Sequence, residues 1–335
     1  MIDIRENISL KPYHTFHIDV SARYFVEYDT VDELKQFLSS PLLKENKYLH
    51  IGAGSNLLFT SDFEGVIIHS RMRSMSVVSE DETSVSVEVQ SGMVWDDFVA
   101  NCVAEGWGGV ENLSHIPGEV GASAVQNVGA YGVESKDVIE TVRGINITTL
   151  QERTFTNADC RYSYRKSIFK EELKGQYIIT SVTFRLCKTP VFRLDYGSLR
   201  TEAGECPTLA SVREAVINIR RRKLPEPDEK GSAGSFFMNP VVEEEFFREL
   251  KSLHPDIVSY PAPGGKIKIS AAWLIDRAGW HGKSFGGASV YPKQCLVIVN
   301  DNNATTADVI NLAEAIRKSV FEKYNVAITP EVNYI

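Results

Sequence analysis

The sequence predicts an α+β protein in two main parts, a longer glycine-rich N-terminal one and a smaller C-terminal α/β domain. Three observations carry this. Short alternating strands and short amphipathic helices follow one another with no internal repeat. At 335 residues the chain is longer than one hydrophobic core usually organises. A helix ending in "RRRK" (220–223) then runs into the breaker "LPEPDEK" (224–230), which marks the main boundary.

The elements follow in order. "ARYFVEYD" (22–29) reads as a strand, and "TVDELKQFLSS" (30–40) as a helix with Thr30 at its N-cap, where a hydroxyl oxygen takes an orphan N–H. "KYLHIGAGSN" (47–56) is a strand entering a glycine turn, and "GVIIHS" (65–70) is another strand. "TSVSVEVQSG" (83–92) alternates as a half-buried strand should. "VWDDFVANCVAEG" (94–106) is a helix closed by Gly106, and "VIETVRGINI" (138–147) and "QYIITSVTFRLC" (176–187) are strands. Val212, Val216 and Ile219 give "ASVREAVINIRRRK" (210–223) helical spacing. Beyond the breaker, "VEEEFFRELKSL", "SAAWLIDRAGW" and "TTADVINLAEAIRKSVFEKYN" read as helices and "QCLVIVN" (294–300) as a strand.

Composition narrows the function. A net charge of −8 argues against general nucleic-acid binding, which needs a basic field. No apolar stretch approaches the roughly 20 residues of a membrane span, and the N-terminus lacks the layout of a signal peptide. The five cysteines are scattered and never at CxxC spacing, so neither a disulfide framework nor a metal site is expected. The plain reading is a reduced, cytoplasmic protein.

Five segments could carry chemistry. In "IGAGSNLL" (51–58), Gly52, Gly54, Ser55 and Asn56 follow a strand, where bare backbone N–H groups can face a phosphate. It is not the dinucleotide fingerprint, since the third glycine falls on Leu57, and a plain tight turn is the competing reading. "ENLSHIPGEVGASAVQNVGAYGVE" (111–134) reads as a long glycine-rich loop, either a surface loop or a ligand-lining one, with Gln126 and Asn127 free to hydrogen-bond a ligand. "CRYSYRKSIFK" (160–170) offers Tyr164 and Arg165, a planar fork for a carboxylate or a stacked surface pair. "GSAGSFFMNP" (231–240) reads as a bare turn at Ser235 pinned by Phe236 and Phe237; with no nearby histidine, a hydrolase nucleophile is disfavoured. "ITPEVNYI" (328–335) carries the carboxylate of Glu331, in what could be a docking strand.

Taken in order, "GAGSNLL", "IPGEVGASAVQNVGAYGVE", "YRKSIFK", "RRRKLPEP", "GSAGSFFMNP", "AAWLIDRAGWHGKSFGGASV" and "PEV" resemble the UDP-N-acetylenolpyruvoylglucosamine reductase family, flavin enzymes that make UDP-N-acetylmuramate for peptidoglycan. "LDYGSL" (194–199), with Tyr196, is similar to the branch with an extra tyrosine-bearing loop. The resemblance implies the FAD-binding fold of the vanillyl-alcohol-oxidase type: FAD-binding subdomains at 1–70 and 71–222, a substrate-binding domain at 223–325, and a tail at 326–335 returning to the active site. It implies non-covalent FAD, with no bond to His69 or His115, and contacts from Gly52, Gly54, Ser55, Asn56, Pro117, Gly118, Gly121, Ala122, Ser123, Gln126, Asn127 and Gly129.

The implied chemistry is two hydride transfers at one flavin face. NADPH reduces FAD and leaves, and the enolpyruvyl ether of UDP-N-acetylglucosamine then accepts the hydride at C3. By resemblance, Arg165 and Glu331 bind and polarise the substrate carboxylate, and Ser235 delivers a proton to C2. Tyr164, Tyr196, Lys223, Asn239 and Lys268 are the expected sugar-nucleotide contacts. A monomer without nucleic-acid or membrane partners is expected. One departure is Asn333, where some relatives carry an arginine two residues past the glutamate. An FAD-dependent oxidase of the same fold would share the two glycine segments but has no reason to keep "GSAGSFF" and "PEV". A non-enzymatic nucleotide-sensing protein would bind UDP-sugars and retain no flavin.

Overall fold

A computed structural model describes residues 2–335. The chain divides into two compact units. The first holds the residues up to Ile8, Ala22–Ala53 and Glu64–Arg221; the second holds Ser9–Ser21, Gly54–Phe63 and Arg222–Ile335.

In the first unit, a four-stranded sheet runs in the order Ile4–Ser9, Ser21–Tyr28, Phe63–Ser70, Tyr48–Ile51, and the last pair is parallel with Tyr48 opposite Val66. Helix Val31–Leu38 starts where Thr30 Oγ1 accepts from Glu33 N at 3.1 Å. Its Leu34, Phe37 and Leu38 close over Val26, Tyr28, Val66 and Ile68. A five-stranded antiparallel sheet follows, in the order Glu152–Thr156, Ile139–Asn146, Tyr177–Cys187, Ser84–Gln90, Met75–Glu80. Strand Tyr177–Cys187 does not alternate cleanly, because both of its faces are covered. Ile178 joins the cluster under the first sheet, while Ile179 and Val182 join one with Trp95, Phe98 and Val120. Leu194 and Leu199 of the tyrosine loop pack on Val212, Val216 and Ile219 of helix Leu209–Lys223.

The segment 111–134 departs from the expected loop. It holds a short 3-10 turn, Glu111–Leu113, and a helix, Val120–Gln126, that buries Val120, Gly121, Ser123 and Ala124. Its glycine is there for contact rather than for turning: a Cβ on Gly121 would stand 2.8 Å from Ser91 Cβ.

In the second unit, strands Gly231–Ser235, Val297–Asn300, Ala288–Val290 and Ser284–Phe285 form an antiparallel sheet in that order. The expected turn at 231–235 is therefore a strand. Composition hid it, because a Cβ on Gly231 would lie 2.3 Å from Phe16 O, so only glycine lets the backbones meet. Helix Thr306–Tyr324 opens with a capping box between Thr305 and Asp308. "SAAWLIDRAGW" is helical only over Ala271–Ile275, then widens into a π turn, Asp276–Trp280, that ends with Gly279 at φ 85°.

Candidate functional site

In the first unit the two glycine segments meet. A Cβ on Gly52 would stand 3.1 Å from Glu119 Oε2, a tight contact, and 3.6 Å from Ala122 Cβ, an ordinary one, so the two segments lie side by side. Pro117 and Ala122 are exposed, Gly118 takes φ 133°, and Ser123 is buried with its hydroxyl donating to Val120 O at 2.7 Å. Gln126 Nε2 is a buried donor with no hydrogen-bond partner among the described residues. Half-buried glycine backbone at Gly52 and Gly118, exposed Pro117 and Ala122, and an orphaned donor on the helix that carries Ala122 fit a flat, phosphate-bearing group, and so fit FAD.

Asn127 differs from expectation. Its side chain is fully buried and engaged: Nδ2 donates to Ser163 O (2.9 Å) and Glu134 Oε2 (3.0 Å), and Oδ1 accepts from Lys136 N (3.1 Å). A left-handed φ of 47° leaves it at the end of helix Val120–Gln126, so it clamps that end to the Tyr164–Arg165 turn. Arg165 sits beside it at φ 59°, with Nη2 donating to Gly129 O at 3.0 Å and its guanidinium over the Tyr164 ring at 5.5 Å. Tyr196 is exposed and meets Tyr131 edge to face at 5.7 Å.

Beneath Gly52 lies a charge network that sequence reading missed. His69 is buried, with Nε2 at 2.9 Å from Glu119 Oε1 and Nδ1 at 3.0 Å from Glu27 Oε1, and Arg5 pairs with Glu27 at 2.6 Å. Burial opposes charge on His69, yet the two carboxylates overcome it and raise its pKa. Glu27, His69 and Glu119 lie on three elements far apart in sequence, so no local spacing announces them. Nearby in the same unit, Arg213 grips Asp96 with both nitrogens, at 2.6 and 2.8 Å. Burial again opposes the charge, but Arg213 and the His115 N–H hold the Asp96 carboxyl below the usual range.

In the second unit, Ser235 sits at a bulge. The register passes from Ser232 opposite Val299 to Ser235 opposite Val297, and the extra residue lets Gly234 take φ 66°. Such bulges re-aim the next side chain. Phe236 and Phe237, each 1% exposed, fix it from below. The C-terminal tail then docks on this strand. Glu331 N donates to Phe236 O at 2.8 Å, Met238 N donates to Thr329 O at 2.9 Å, and Asn56 Nδ2 donates to Glu331 O at 3.2 Å. Gly54 (φ 60°) approaches Tyr13 O so closely that a Cβ would lie 2.3 Å away, and half-buried Ser55 follows it.

Asn333 and Tyr334 pair in parallel with Leu57 and Leu58, and Asn333 Nδ2 donates to Asn56 O at 3.3 Å. The departure at Asn333 is thus absorbed into docking of the tail. The structure brings Asn56, Ser235 and Glu331 together from three distant stretches. A second group forms where Asn239 Oδ1 accepts from Ala271 N at 2.9 Å and Lys268 pairs opposite Val241 with its ammonium 5.9 Å from the Tyr260 ring. Lys223 is exposed at the end of its helix.

The chain is similar to known proteins over its whole length. Residues 226–335 match the family model for the C-terminal domain of UDP-N-acetylenolpyruvoylglucosamine reductase, and residues 22–154 match that for an FAD binding domain. A UDP-N-acetylenolpyruvoylglucosamine reductase of Bacteroides fragilis is 50% identical over 334 residues, covering 99% of this chain and 100% of its own. One from Neisseria meningitidis is 43% identical over 340 residues, covering 100% of this chain and 98% of its own. The crystal structure of the UDP-N-acetylenolpyruvylglucosamine reductase of Thermus caldophilus shares the fold, with a TM-score of 0.71 at 22% identity over 100% of this chain and 99% of that one.

Proposed function

We propose a two-substrate redox cycle for this chain, which belongs to the UDP-N-acetylenolpyruvoylglucosamine reductase family. Its FAD-binding domain makes it a flavin oxidoreductase of peptidoglycan precursor synthesis. The substrates of the reading are NADPH and the enolpyruvyl ether of UDP-N-acetylglucosamine, and the product is UDP-N-acetylmuramate. FAD, when bound, supplies the store that accepts a hydride from one substrate and gives it to C3 of the other.

The chain's own residues do the rest. An enol ether accepts a hydride only if the charge building toward its carboxylate is stabilised. Arg165 offers a rigid, planar fork for that carboxylate, and Glu331 holds and polarises the same group. Ser235 gives its hydroxyl proton to C2; because a serine is a weak acid, its orientation must be fixed and neighbouring donors must relieve the alkoxide. Gly52, Gly54, Ser55, Asn56, Gly118, Gly121, Ala122 and Gln126 are assigned to the cofactor. Tyr164, Tyr196, Lys223, Asn239 and Lys268 are assigned to the sugar nucleotide.

The observation that carries the reading is the bond from Glu331 N to Phe236 O, which fixes the tail carboxylate's backbone against the residue next to Ser235. No helix among the described residues is long and apolar enough to cross a membrane; the reading places the enzyme in the cytoplasm as a monomer. The test separates the two half-reactions in Arg165→Ala by stopped-flow absorbance. Flavin retention and reduction by NADPH should persist while reoxidation by the enolpyruvyl substrate slows at least about a hundredfold. Loss of flavin instead would move Arg165 to the cofactor.

A further inference from the structure

None of the residues assigned to the reaction takes part in a second cluster on the second unit, where Asp276, His281 and Cys295 each offer one ligand atom. His281 Nδ1 lies 3.3 Å from Asp276 Oδ1, Cys295 Sγ lies 3.6 Å from Asp276 Oδ1, and Cys295 Sγ lies 3.6 Å from His281 Nδ1. These lengths match three edges of a tetrahedral metal site. Zinc bound at about 2.0–2.1 Å to N and O and about 2.3 Å to S sets N–O edges of about 3.3 Å and S–N and S–O edges of about 3.6 Å.

A hydrogen-bonded relay explains the cluster less well. In a thiol–imidazole–carboxylate relay the sulfur and the carboxylate use opposite ring nitrogens. Here both meet Nδ1, which can donate to only one of them.

The local fold builds the cluster. The π turn Asp276–Trp280 widens the helix, and Gly279 at φ 85° stops it, so the chain returns five residues later with His281 beside Asp276. Such turns are frequent at functional sites. Cys295, 7% exposed, is fixed in a tight turn closed by Gln294 N to Tyr291 O (3.1 Å) and Val297 N to Gln294 O (3.0 Å). The Asp276 and His281 side chains are 46% and 60% exposed, which leaves an ion a route from solvent and room for water as a fourth ligand.

We propose that Asp276, His281 and Cys295 form a three-ligand site for zinc(II). The mixed sulfur, nitrogen and oxygen set favours zinc over magnesium or calcium. The site adjoins the strand pair that carries Ser235, because Leu296, next to Cys295, accepts from Phe236 N at 2.7 Å.

The test uses the flavin-loaded, chelator-treated enzyme titrated with cobalt(II) as a spectroscopic substitute. Intense tetrahedral ligand-field bands should appear to the red of the flavin absorption and vanish on adding one equivalent of zinc. Cys295→Ser and His281→Ala should each abolish them while the flavin spectrum persists. Should Cys295→Ser fail to fold, His281→Ala decides alone, since that side chain is mostly exposed. Weak octahedral bands in the unmodified enzyme, or tetrahedral bands unchanged in either folded variant, would overturn the assignment.

Discussion

Residues 117–132 of the first unit and 231–237 of the second are both rich in small residues, yet different forces hold them. The first is carried by polar side chains. Glu119 is fixed by buried His69, which Glu27 holds from its other nitrogen, and Asn127 ties the segment's helix to Ser163 and Lys136. The second is carried by backbone pairing to Val297–Asn300 and by two buried phenylalanines. The difference teaches that a bare backbone needs an external frame, and that the frame sets its sensitivities. A charge-built frame responds to pH, whereas an apolar one does not.

The largest effects should come from breaking each frame. His69→Leu leaves buried Glu119 without its imidazolium and half-buried Glu27 with Arg5 alone, and should cost about 3–5 kcal/mol in denaturant unfolding. Phe236→Ala opens a cavity and should cost about 3–5 kcal/mol as well. Their pH dependence should separate them. The folded pKa of His69 is raised above its unfolded value of 6.5, so its stabilisation is fully present below pH 6.5 and is lost as pH rises through the raised value. The gap between the unmodified enzyme and His69→Leu should therefore narrow with rising pH, while the Phe236→Ala gap stays level. Parallel trends in the two variants would erase the contrast.

Smaller effects test the glycines. Gly231→Ala meets the Phe16 carbonyl and should cost about 3 kcal/mol. Gly121→Ala meets Ser91 Cβ at 2.8 Å, a milder overlap that a smaller backbone shift relieves, and should cost about 2 kcal/mol. A Cβ on Gly234 meets nothing within 4 Å, so only its left-handed backbone opposes alanine, at about 1 kcal/mol. If Gly234→Ala proved the most damaging of the three, backbone strain and not close contact would govern these segments.

Much of the fold was legible in local pattern. The cap at Thr30, the inward Val85, Val87 and Val89 of strand Ser84–Gln90 and the apolar stripe through Val212, Val216 and Ile219 are local signals, and each appears in the structure. What stayed hidden depends on partners distant in sequence. Gly231 reads as loop because its reason for being glycine is Phe16, and Gly121 because its reason is Ser91. The same holds at the site. Resemblance of motifs singled out Ser235, Arg165 and Glu331, but Glu27, His69 and Glu119 each look ordinary in their own segment and form a network only once folded. The docking of Asn56 against the tail likewise joins residues with no local relation.

The central claim is that the bulged strand holds Ser235 as the proton donor to C2, and single-turnover absorbance of Ser235→Ala tests it most directly. Flavin reduction by NADPH should proceed at nearly the unmodified rate, and reoxidation by the enolpyruvyl nucleotide should slow by at least about a thousandfold. Unchanged rates in both half-reactions would contradict the account.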